Sequence, residues 1–554
     1  MHLAPSTAWV WLIACAVVIL LFPLAAQFGN LKGKLSSFHT WVWAIALLGI
    51  VTASFMPFAF DPGIAHFEVQ PFIFFITGTL LGVLFLGEFH RMNAQKKLKH
   101  PQRVHAERRT RYSKAVEHLA YPNPAVRASA ISTLAGLVDE WLADEQLSVE
   151  ARQKEGQVIV NALCAYVRSP FARAFKAEAF ESDTPPANYA GDFATDLAAF
   201  RGEQDVRRSV FVEMSKRSST LVENEKGEVT VVPGAWSGFE FDFSRAVIFY
   251  PLDGLTIENA DFSAARFCNG SDFSGAAFVG TVDFSRATFG EIAGFGDATF
   301  AGDANFGHAT FTQNANFGGA SFIQSAHFDG VKFMQNAHFG GVKFTQNTNF
   351  SGAAFIQNAS FGGVNFARNA DFSWAIFTQN AHFIGAVFGQ IADFSGATFT
   401  QNARFSETAF AQVACFKWAT FTQAADFSEA TFAQGADFSE ATFEADAEFY
   451  GASFMGVADF CDVSFVKSPP VFAVADADSG EARRARFAAL SAASESAKQE
   501  AHYFAVYEGS QPIPLGTAGL NGVVYRIPVG AVLFDPASWD ARQKEYTRLS
   551  EPAQ

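Results

Sequence analysis

Three histidines have side chains suited to acid–base or metal chemistry, and they stand in a regular setting. His327, His338 and His382 each come directly before a phenylalanine, and multiples of eleven residues separate them. If a coil contains about 22 residues, as the repeats below indicate, His327 and His338 lie on opposite sides of it and cannot ligate one metal ion. We interpret all three as exposed polar residues and predict no metal site and no cofactor site.

Carboxylates are the second group that could do chemistry. They become denser toward the end of the repeats, at Asp426, Glu429, Asp437, Glu440, Glu444, Asp446, Glu448 and Asp459. An acidic catalytic cluster in a β-helix would need a cleft and a basic partner, but only Lys417 and Lys467 are near. The sequence also lacks a glycine-rich phosphate loop, a serine elbow and an HExxH motif. We predict a solvated acidic surface, no catalytic residue and a protein that is not an enzyme.

The cysteines do not suggest a disulfide framework or a zinc site. There are five, at Cys15, Cys164, Cys268, Cys415 and Cys461, without a CxxC pair. Such scattered cysteines are typical of reduced, partly buried thiols.

Phenylalanine dominates the aromatic residues, with 64 Phe against 10 Tyr and 9 Trp. One series runs in steps of eleven from Phe262 to Phe460, and a second runs from Phe267 to Phe465, with 19 Phe in each and no exception. Neighbouring Phe residues are therefore five and six positions apart in turn. A small residue, usually Ala, stands two positions before each Phe, and residues i and i−2 share one face of a strand. The pattern predicts short strands that point a Phe and a small residue inward.

This pattern, covering about 240–465, resembles the pentapeptide-repeat family, whose units read roughly Ala-(Asp/Asn)-(Leu/Phe)-x-x. A representative unit here is Ala392-Asp393-Phe394-Ser395-Gly396. The resemblance implies a right-handed four-sided β-helix in which the Phe fills the core and residues such as Ala260, Ala304 and Ala392 pack beside it.

One departure from that family is that every second step has six residues, which makes a four-sided coil of about 22 residues in place of about 20. Thr-Gln follows Phe377, Phe399 and Phe421 but not Phe388 or Phe410, which also favours a 22-residue period. We expect about nine coils and, at roughly 4.8 Å per coil, a rod of about 45 Å. Gln recurs two positions after second-series Phe residues, at Gln313, Gln324, Gln335, Gln346, Gln357 and from Gln379 to Gln434. We expect in-register Gln and Asn to form side-chain ladders along the rod.

The first ninety residues are predicted to be a transmembrane anchor. Uncharged apolar runs cover 8–28, 41–60 and 72–87, and the first two have the roughly 20 residues that a spanning helix needs. A basic stretch over 91–114 follows, so the positive-inside rule puts the N-terminus outside and the rest of the chain in the cytoplasm of a multi-pass cell-membrane protein. No ionisable residue lies deep in the runs, which favours an anchor over a channel. The basic stretch can also contact anionic lipid.

Three further regions are predicted. A helical connector covers 91–220, with two helices separated at Tyr121-Pro122-Asn123-Pro124, a third near 149–168, a fourth over Asp205–Ser218 and a loop or weak helix over 170–203. Asn123 is the predicted N-cap. The β-helix covers 239–465 after a degraded first turn, and a cap over 466–554 contains a helix at 481–504 and strands around an Asn521-Gly522 turn.

The negative charge of the chain limits the classes of function that it can have. The formal net charge is −15, and residues 239–470 contain 23 acidic and 9 basic residues, which argues against a nucleic-acid binder. The leading hypothesis is a non-catalytic, membrane-anchored scaffold that presents an acidic cytoplasmic rod to an unknown protein partner. The alternative comes from the resemblance, because some family members regulate or protect DNA gyrase by imitating DNA with an acidic rod.

Overall fold

The computed structural model describes residues 69–224, 229–268, 272–475, 482–490, 502–542 and 545–554, with a few isolated positions before residue 52. The predicted spans at 8–28 and 41–60 lie outside the described residues, apart from those positions. The chain divides into two compact units, Met1–Arg111 and Tyr112–Gln554. Within the described residues, no helix combines the length and the apolar character needed to cross a bilayer.

The connector is helical, as predicted. Its elements are α1 (Val69–His118), α2 (Pro124–Leu142), α3 (Val149–Arg168), a 3-10 helix (Ala172–Phe180) and α4 (Phe193–Ser215). Asn123 is confirmed as the N-cap of α2, since its side chain accepts a hydrogen bond from the Ala125 N–H at 2.9 Å and proline follows at the first helical position. The helices pack through buried apolar residues such as Leu134, Val138 and Leu163.

The predicted start of the fourth helix was wrong. Helix α4 begins at Phe193 and not at Asp205, because Asp192 caps it by accepting a hydrogen bond from the Thr195 N–H at 3.3 Å. The segment 170–203, predicted as a loop or weak helix, therefore contains both the 3-10 helix and the first turns of α4.

A hairpin of Thr220–Glu223 and Val229–Val232 leads into a β-solenoid with four parallel sheets, named faces 1 to 4 in the order in which the chain enters them. Face 1 consists of Phe241–Asp242, Ala260–Asp261, Val282–Asp283, Ala304–Asn305, Ala326–His327, Thr348–Asn349, Ala370–Asp371, Ala392–Asp393, Ala414–Cys415, Ala436–Asp437 and Ala458–Asp459. Face 2 consists of Val247–Ile248, Arg266–Phe267, Thr288–Phe289, Thr310–Phe311, Lys332–Phe333, Ala354–Phe355, Ile376–Phe377, Thr398–Phe399, Thr420–Phe421, Thr442–Phe443 and Ser464–Phe465.

The other two faces complete each coil. Face 3 consists of Ala293–Gly294, Ala315–Asn316, Ala337–His338, Ala359–Ser360, Ala381–His382, Ala403–Arg404, Ala425–Asp426 and Ala447–Glu448. Face 4 consists of Thr256–Ile257, Ala277–Phe278, Thr299–Phe300, Ser321–Phe322, Lys343–Phe344, Asn365–Phe366, Val387–Phe388, Ala409–Phe410, Thr431–Phe432, Ser453–Phe454, Arg486–Ala488 and Val532–Phe534.

The 22-residue coil is confirmed by the strand register. Ala370 pairs with Ala392 on face 1, and Phe377 pairs with Phe399 on face 2. Faces 1 and 2 each contain 11 strands, so the solenoid has about ten coils, not nine, and is about 50 Å long at roughly 4.8 Å per coil. The additional coil comes from strands such as Phe241–Asp242 that precede the regular repeats.

Both phenylalanine series lie in the core, as predicted. Every Phe of the two series is at most 1 % exposed. Equivalent rings of successive coils stack face to face, with centroids from 4.4 Å apart for Phe289 and Phe311 to 5.2 Å for Phe427 and Phe449. The two first-series columns also meet edge to face, as Phe372 and Phe383 do at 5.4 Å and 89°. The core is thus a set of four aromatic stacks in contact.

The alternation of five and six residues reflects two kinds of corner. In every five-residue step, the residue two positions after the first-series Phe has a φ between +55° and +75°. It is the third residue of a β-turn, closed for instance by the Ala397 N–H donating to the Phe394 carbonyl at 3.0 Å. Glycine is favoured there because L-residues rarely adopt this conformation. The six-residue corners within the described residues 272–465 have no residue with a positive φ.

Of the side-chain ladders expected for Gln and Asn, the structure shows that of asparagine. Among described residues 272–475, amide-to-amide hydrogen bonds between stacked six-residue corners join asparagines and not glutamines. The Asn358 amide donates to Asn336 Oδ1 at 3.3 Å, and the Asn380 amide donates to Asn358 Oδ1 at 3.1 Å. The shorter side chain keeps the amide close to the backbone, where it can meet the same group of the next coil.

Both ends of the solenoid are covered. At the N-terminal end, Phe211 of α4 packs against Phe243, with ring centroids 4.6 Å apart and the rings tilted by 34°. At the C-terminal end, the predicted helix at 481–504 was wrong: Ala482–Arg484 and Arg486–Ala488 are strands, and 491–501 lies outside the described residues. Arg486–Ala488 extends face 4, and its Phe487 stacks on Phe454 at 4.7 Å, because the exposed sheet edge provides unpaired backbone groups and an open ring stack.

The turn predicted at Asn521-Gly522 is confirmed. It joins the strands Leu515–Leu520 and Val523–Pro528, and both turn residues have positive φ values, as a two-residue hairpin turn of the primed type requires. The remaining described elements of the cap are the hairpin Ala473–Ala475 with Ala482–Arg484, a 3-10 turn at Pro536–Ser538, and the short pair Trp539–Asp540 with Glu545–Tyr546.

Candidate functional site

The histidines lie where the sequence predicted. His327 is on face 1, whereas His338 and His382 are on face 3, and all three point away from the core. Partial burial and nearby Arg404 lower the pKa of His382. In the part of the chain that the structure describes, no group of His, Cys, Asp and Glu side chains could hold a metal ion.

The eight C-terminal carboxylates are spread around the solenoid and do not form a cleft. Asp437 and Asp459 are on face 1, and Asp426 and Glu448 are on face 3. Glu429 and Glu440 occupy the two different five-residue corners, and Glu444 and Asp446 lie in a six-residue corner. Burial, followed by the charge of Asp426, raises the pKa of Glu448. This arrangement is a charged surface on several sides.

Many of the face 1 carboxylates have a structural role that the sequence reading missed. Asp371, Asp393 and Asp437 each accept a hydrogen bond from the backbone N–H of the serine two residues later, at 2.8 Å, 2.8 Å and 2.9 Å. These Asx turns brace the five-residue corners. The recurring Asp-Phe-Ser tripeptide was the signal that could have revealed them.

Charge is not uniform along the solenoid. Residues 239–303 contain 10 acidic residues, 304–370 contain one and 371–470 contain 12, while each segment contains three basic residues. DNA carries one negative charge per roughly 1.7 Å along its whole length. The middle coils interrupt any such pattern, so the distribution does not favour the DNA-imitating alternative.

Two tryptophans that the sequence reading overlooked stand at the corner between faces 1 and 2. Trp374 and Trp418 have φ values of +58° and +59° and are 63 % and 49 % exposed. On face 2 beside Trp374, Ile376 is 46 % exposed. We call these three residues the corner ridge. Their signal in the sequence is a break in the repeat, since Phe-Ser-Gly-Ala becomes Phe-Ser-Trp-Ala and Phe-Lys-Trp-Ala.

Trp418 takes part in a small electrostatic cluster. Its Nε1–H donates to Glu440 Oε2 at 2.9 Å, and the Lys417 ammonium lies 4.6 Å from its ring centroid and 3.2 Å from Glu440 Oε1. The hydrogen bond from Trp418 and then that from Lys417 lower the pKa of Glu440, and Glu440 raises the pKa of Lys417. The corner ridge thus already binds one cation between an indole and a carboxylate.

The connector contains a depression of about 570 Å³, lined by residues that include Tyr121, Tyr166 and Phe171. Beside it, Glu203 accepts from Arg207 Nε at 2.7 Å and from Arg127 Nη2 at 2.9 Å, and Tyr166 also donates to it. Arg207 further donates to the Val167 carbonyl at 2.6 Å. These contacts join α2, α3 and α4, so the charged groups hold the connector together.

Cys164, Cys415 and Cys461 are free thiols and Cys268 is buried, while Cys15 lies outside the described residues. Burial raises the pKa of the Cys164 thiol to about 12 and that of the Cys461 thiol to about 11. Thiols with raised pKa values are poor nucleophiles at neutral pH.

Comparison with known proteins identifies the repeats. A family model described as pentapeptide repeats (9 copies) matches residues 284–332, 328–373, 375–418 and 416–464. No curated protein and no solved structure matches the chain.

Proposed function

The solenoid belongs to the pentapeptide-repeat family, and from this premise we propose that the protein is a non-catalytic scaffold that holds a protein partner on the solenoid surface. One observation carries the proposal. The interior of the regular coils repeats the same buried Phe residues, whereas the outward side chains differ from coil to coil. A solenoid of this kind offers an extended, rigid surface on which residues of distant coils keep fixed positions.

The partner surface that we propose lies on coils 371–470. These coils contain 12 acidic and three basic residues, which gives them the largest total negative charge of the three segments. Two of the basic residues are already paired, Lys417 with Glu440 at 3.2 Å and Lys467 with Asp446 at 3.1 Å. Such a surface attracts a cationic partner and accelerates its association.

We also propose that the hydrophobic runs 8–28, 41–60 and 72–87 anchor the scaffold in the cell membrane with the solenoid in the cytoplasm. Support comes from the sequence, because the runs are uncharged and the basic stretch 91–114 follows them. Within that stretch, Arg103, Arg109, Arg111 and Lys114 on α1 are exposed, so anionic headgroups are its proposed lipid contact.

Extraction of membranes at alkaline pH tests the anchor. The full-length protein should stay with the membrane pellet, and its release into the supernatant would refute the anchor. Protease treatment of closed vesicles tests the orientation, since a cytoplasmic solenoid is protected only when the vesicles are right side out.

The scaffold function is tested by removing whole coils. Deletion of Gly396–Ser439 removes two complete coils and joins Ser395 to Glu440, so the pattern Phe-Ser-Glu-Ala-Thr-Phe preserves the register. Deletion of His308–Ser351 is the matched control, because it also removes two coils but comes from the segment with a single acidic residue.

The measurement is capture of partners from detergent extracts by each full-length variant. We expect the deletion of Gly396–Ser439 to lose proteins that the wild-type chain and the control deletion retain. Identical partner sets for all three proteins would refute a binding role for the acidic coils.

A further inference from the structure

The two tryptophans of the corner ridge occupy a corner position that elsewhere in the solenoid holds glycine, alanine or a polar or charged residue. Both have left-handed φ values, which side-chain-bearing residues rarely adopt. Gly352 and Gly396 hold the same corner position in coils that flank Trp374, with φ values of +62° and +65°. About half or more of each indole is exposed, so burial of the side chain offsets little of the free-energy cost of the left-handed backbone. Arg286, His308 and Glu440 hold the same corner position with φ values of +58°, +59° and +59°, so the corner accepts side chains, and a large exposed apolar surface is what distinguishes the two tryptophans and favours binding.

The cluster at Trp418 shows which chemistry fits the corner ridge. There the Lys417 ammonium lies 4.6 Å from the ring centroid and pairs with Glu440. At Trp374 the corresponding positions are Ser373 and Gly396, and no cationic side chain of the described residues lies over this ring. Trp374 therefore presents the same aromatic surface without a cation of its own, and Ile376 adds apolar area beside it.

The surrounding charge selects the partner. Coils 371–470 contain four acidic residues for every basic one, so this surface attracts a cationic segment and repels an acidic one. Arginine suits an indole better than lysine does, because its planar, weakly hydrated guanidinium can stack on the ring and still pair with a carboxylate. We propose that the corner ridge is a docking surface for an arginine-rich segment of a protein partner. The inference rests on the scaffold function and specifies its binding site.

The test uses the full-length protein in detergent and fluorescein-labelled nona-arginine as the probe, with binding followed by fluorescence anisotropy at about 0.15 M salt. We expect saturable binding that weakens at least tenfold in the double variant Trp374→Gly, Trp418→Gly. The matched control is Ile292→Ser, which removes another apolar side chain, 63 % exposed, from a six-residue corner outside the corner ridge. Its affinity for the probe should equal that of the wild-type protein.

Folding of the double variant is checked by circular dichroism. Glycine suits both corner positions, so the melting temperature should match or exceed that of the wild-type protein. Wild-type affinity in the folded double variant would overturn the proposal, because acidic charge alone would then explain binding. Absence of wild-type binding at 1 mM probe would overturn it as well.

A second copy of the chain, docking through its basic stretch 91–114, is a different occupant. Sedimentation distinguishes it: self-association that the double variant abolishes, without binding of the probe, would replace the proposed partner by a second copy.

Partner capture separates this inference from the scaffold function. If deletion of Gly396–Ser439 loses partners that the double variant retains, only the corner ridge is refuted. If neither change loses partners, both proposals fail.

Discussion

The indole of Trp374 lies against Gly396, which occupies the same corner one coil later. A Cβ atom added at position 396 would be 2.7 Å from Cε3 of Trp374 and 2.9 Å from its Cδ2. Gly396 therefore serves two purposes, since it adopts a φ of +65° and it leaves room for the indole of the preceding coil. This contact fixes the orientation of the Trp374 side chain on the solenoid surface.

Gly396→Ala should destabilise the protein through both effects. The left-handed backbone alone costs about 1–2 kcal/mol for alanine, and the contact with the indole adds to that loss. Chemical unfolding of Gly396→Ala, Trp374→Gly and the double variant measures the coupling between the two sites. The alanine should cost less when Trp374 is glycine, and strictly additive effects would show that the indole does not occupy this position.

A pure backbone effect can be isolated elsewhere on the solenoid, at Gly363. This glycine has a φ of +64°, and a Cβ atom there would meet nothing within 4 Å. Gly363→Ala should therefore lower the free energy of unfolding by about 1 kcal/mol from conformation alone. The neighbouring Gly362→Ala is the control, because its added Cβ would lie 3.7 Å from the Ile384 carbonyl oxygen and its φ is not positive. Equal losses at both positions would contradict the explanation.

Phe372 lies in the middle of one aromatic stack, fully buried between Phe350 at 4.8 Å and Phe394 at 4.9 Å. Phe372→Ala should destabilise the protein by about 3–5 kcal/mol, because it leaves a cavity in a core that cannot collapse around it. Thermal melting measures the loss, with the exposed Asn365→Ala as a control that should leave the melting curve in place. An unchanged melting curve for Phe372→Ala would be incompatible with the stacked core.

The Asx turns predict different outcomes for two substitutions of one residue. Asp437 accepts the Ser439 N–H at 2.9 Å and pairs in the sheet with Asp459. Asp437→Ala should cost about 1 kcal/mol because the corner loses this hydrogen bond. Asp437→Asn keeps an acceptor and removes a like-charge neighbour, so its free energy of unfolding should match or exceed the wild-type value. A loss as large for asparagine as for alanine would show that charge and not the turn is what matters.

Stability should depend on pH through His502 in the cap. Its Nδ1 accepts the Ala458 N–H at 3.2 Å, its Nε2 lies 3.1 Å from the Ala488 carbonyl oxygen, and burial lowers its pKa to about 4. Between this value and an unfolded pKa of about 6.5, the unfolded chain binds a proton that the folded chain does not. Folding therefore loses stability as the pH falls through this window, by up to about 3 kcal/mol at its acidic end.

Unfolding at pH 7.5 and at pH 5 measures the contribution of His502. His502→Asn retains an acceptor and cannot titrate, so its stability should change less between the two pH values than that of the wild-type protein. An equal change in both proteins would place the pH dependence elsewhere.

Much of the solenoid could be predicted because the positions of its core residues follow from the spacing of residues that are close together in the sequence. Phe and Ala positions two residues apart specify which side of a strand faces the core, and the constant length of the coil brings equivalent positions together. The same reasoning placed His327 and His338 on opposite sides. It did not find the corner ridge, because the sequence does not show that Trp374 and Trp418 have positive φ values or that their side chains are exposed.

The sequence by itself determined the aromatic core, the length of each coil and the start of α2 at its Asn123 cap, since these follow from periodicity and from neighbouring residues. Tertiary structure decided the conformation of Arg486–Ala488, which pairs with the face 4 strand Ser453–Phe454 and stacks Phe487 on Phe454. It also decided that Trp374 rests on Gly396 and that Lys417 joins Trp418 and Glu440. Stacking of successive coils creates these contacts, and the sequence alone cannot show which side chain will contact the next coil.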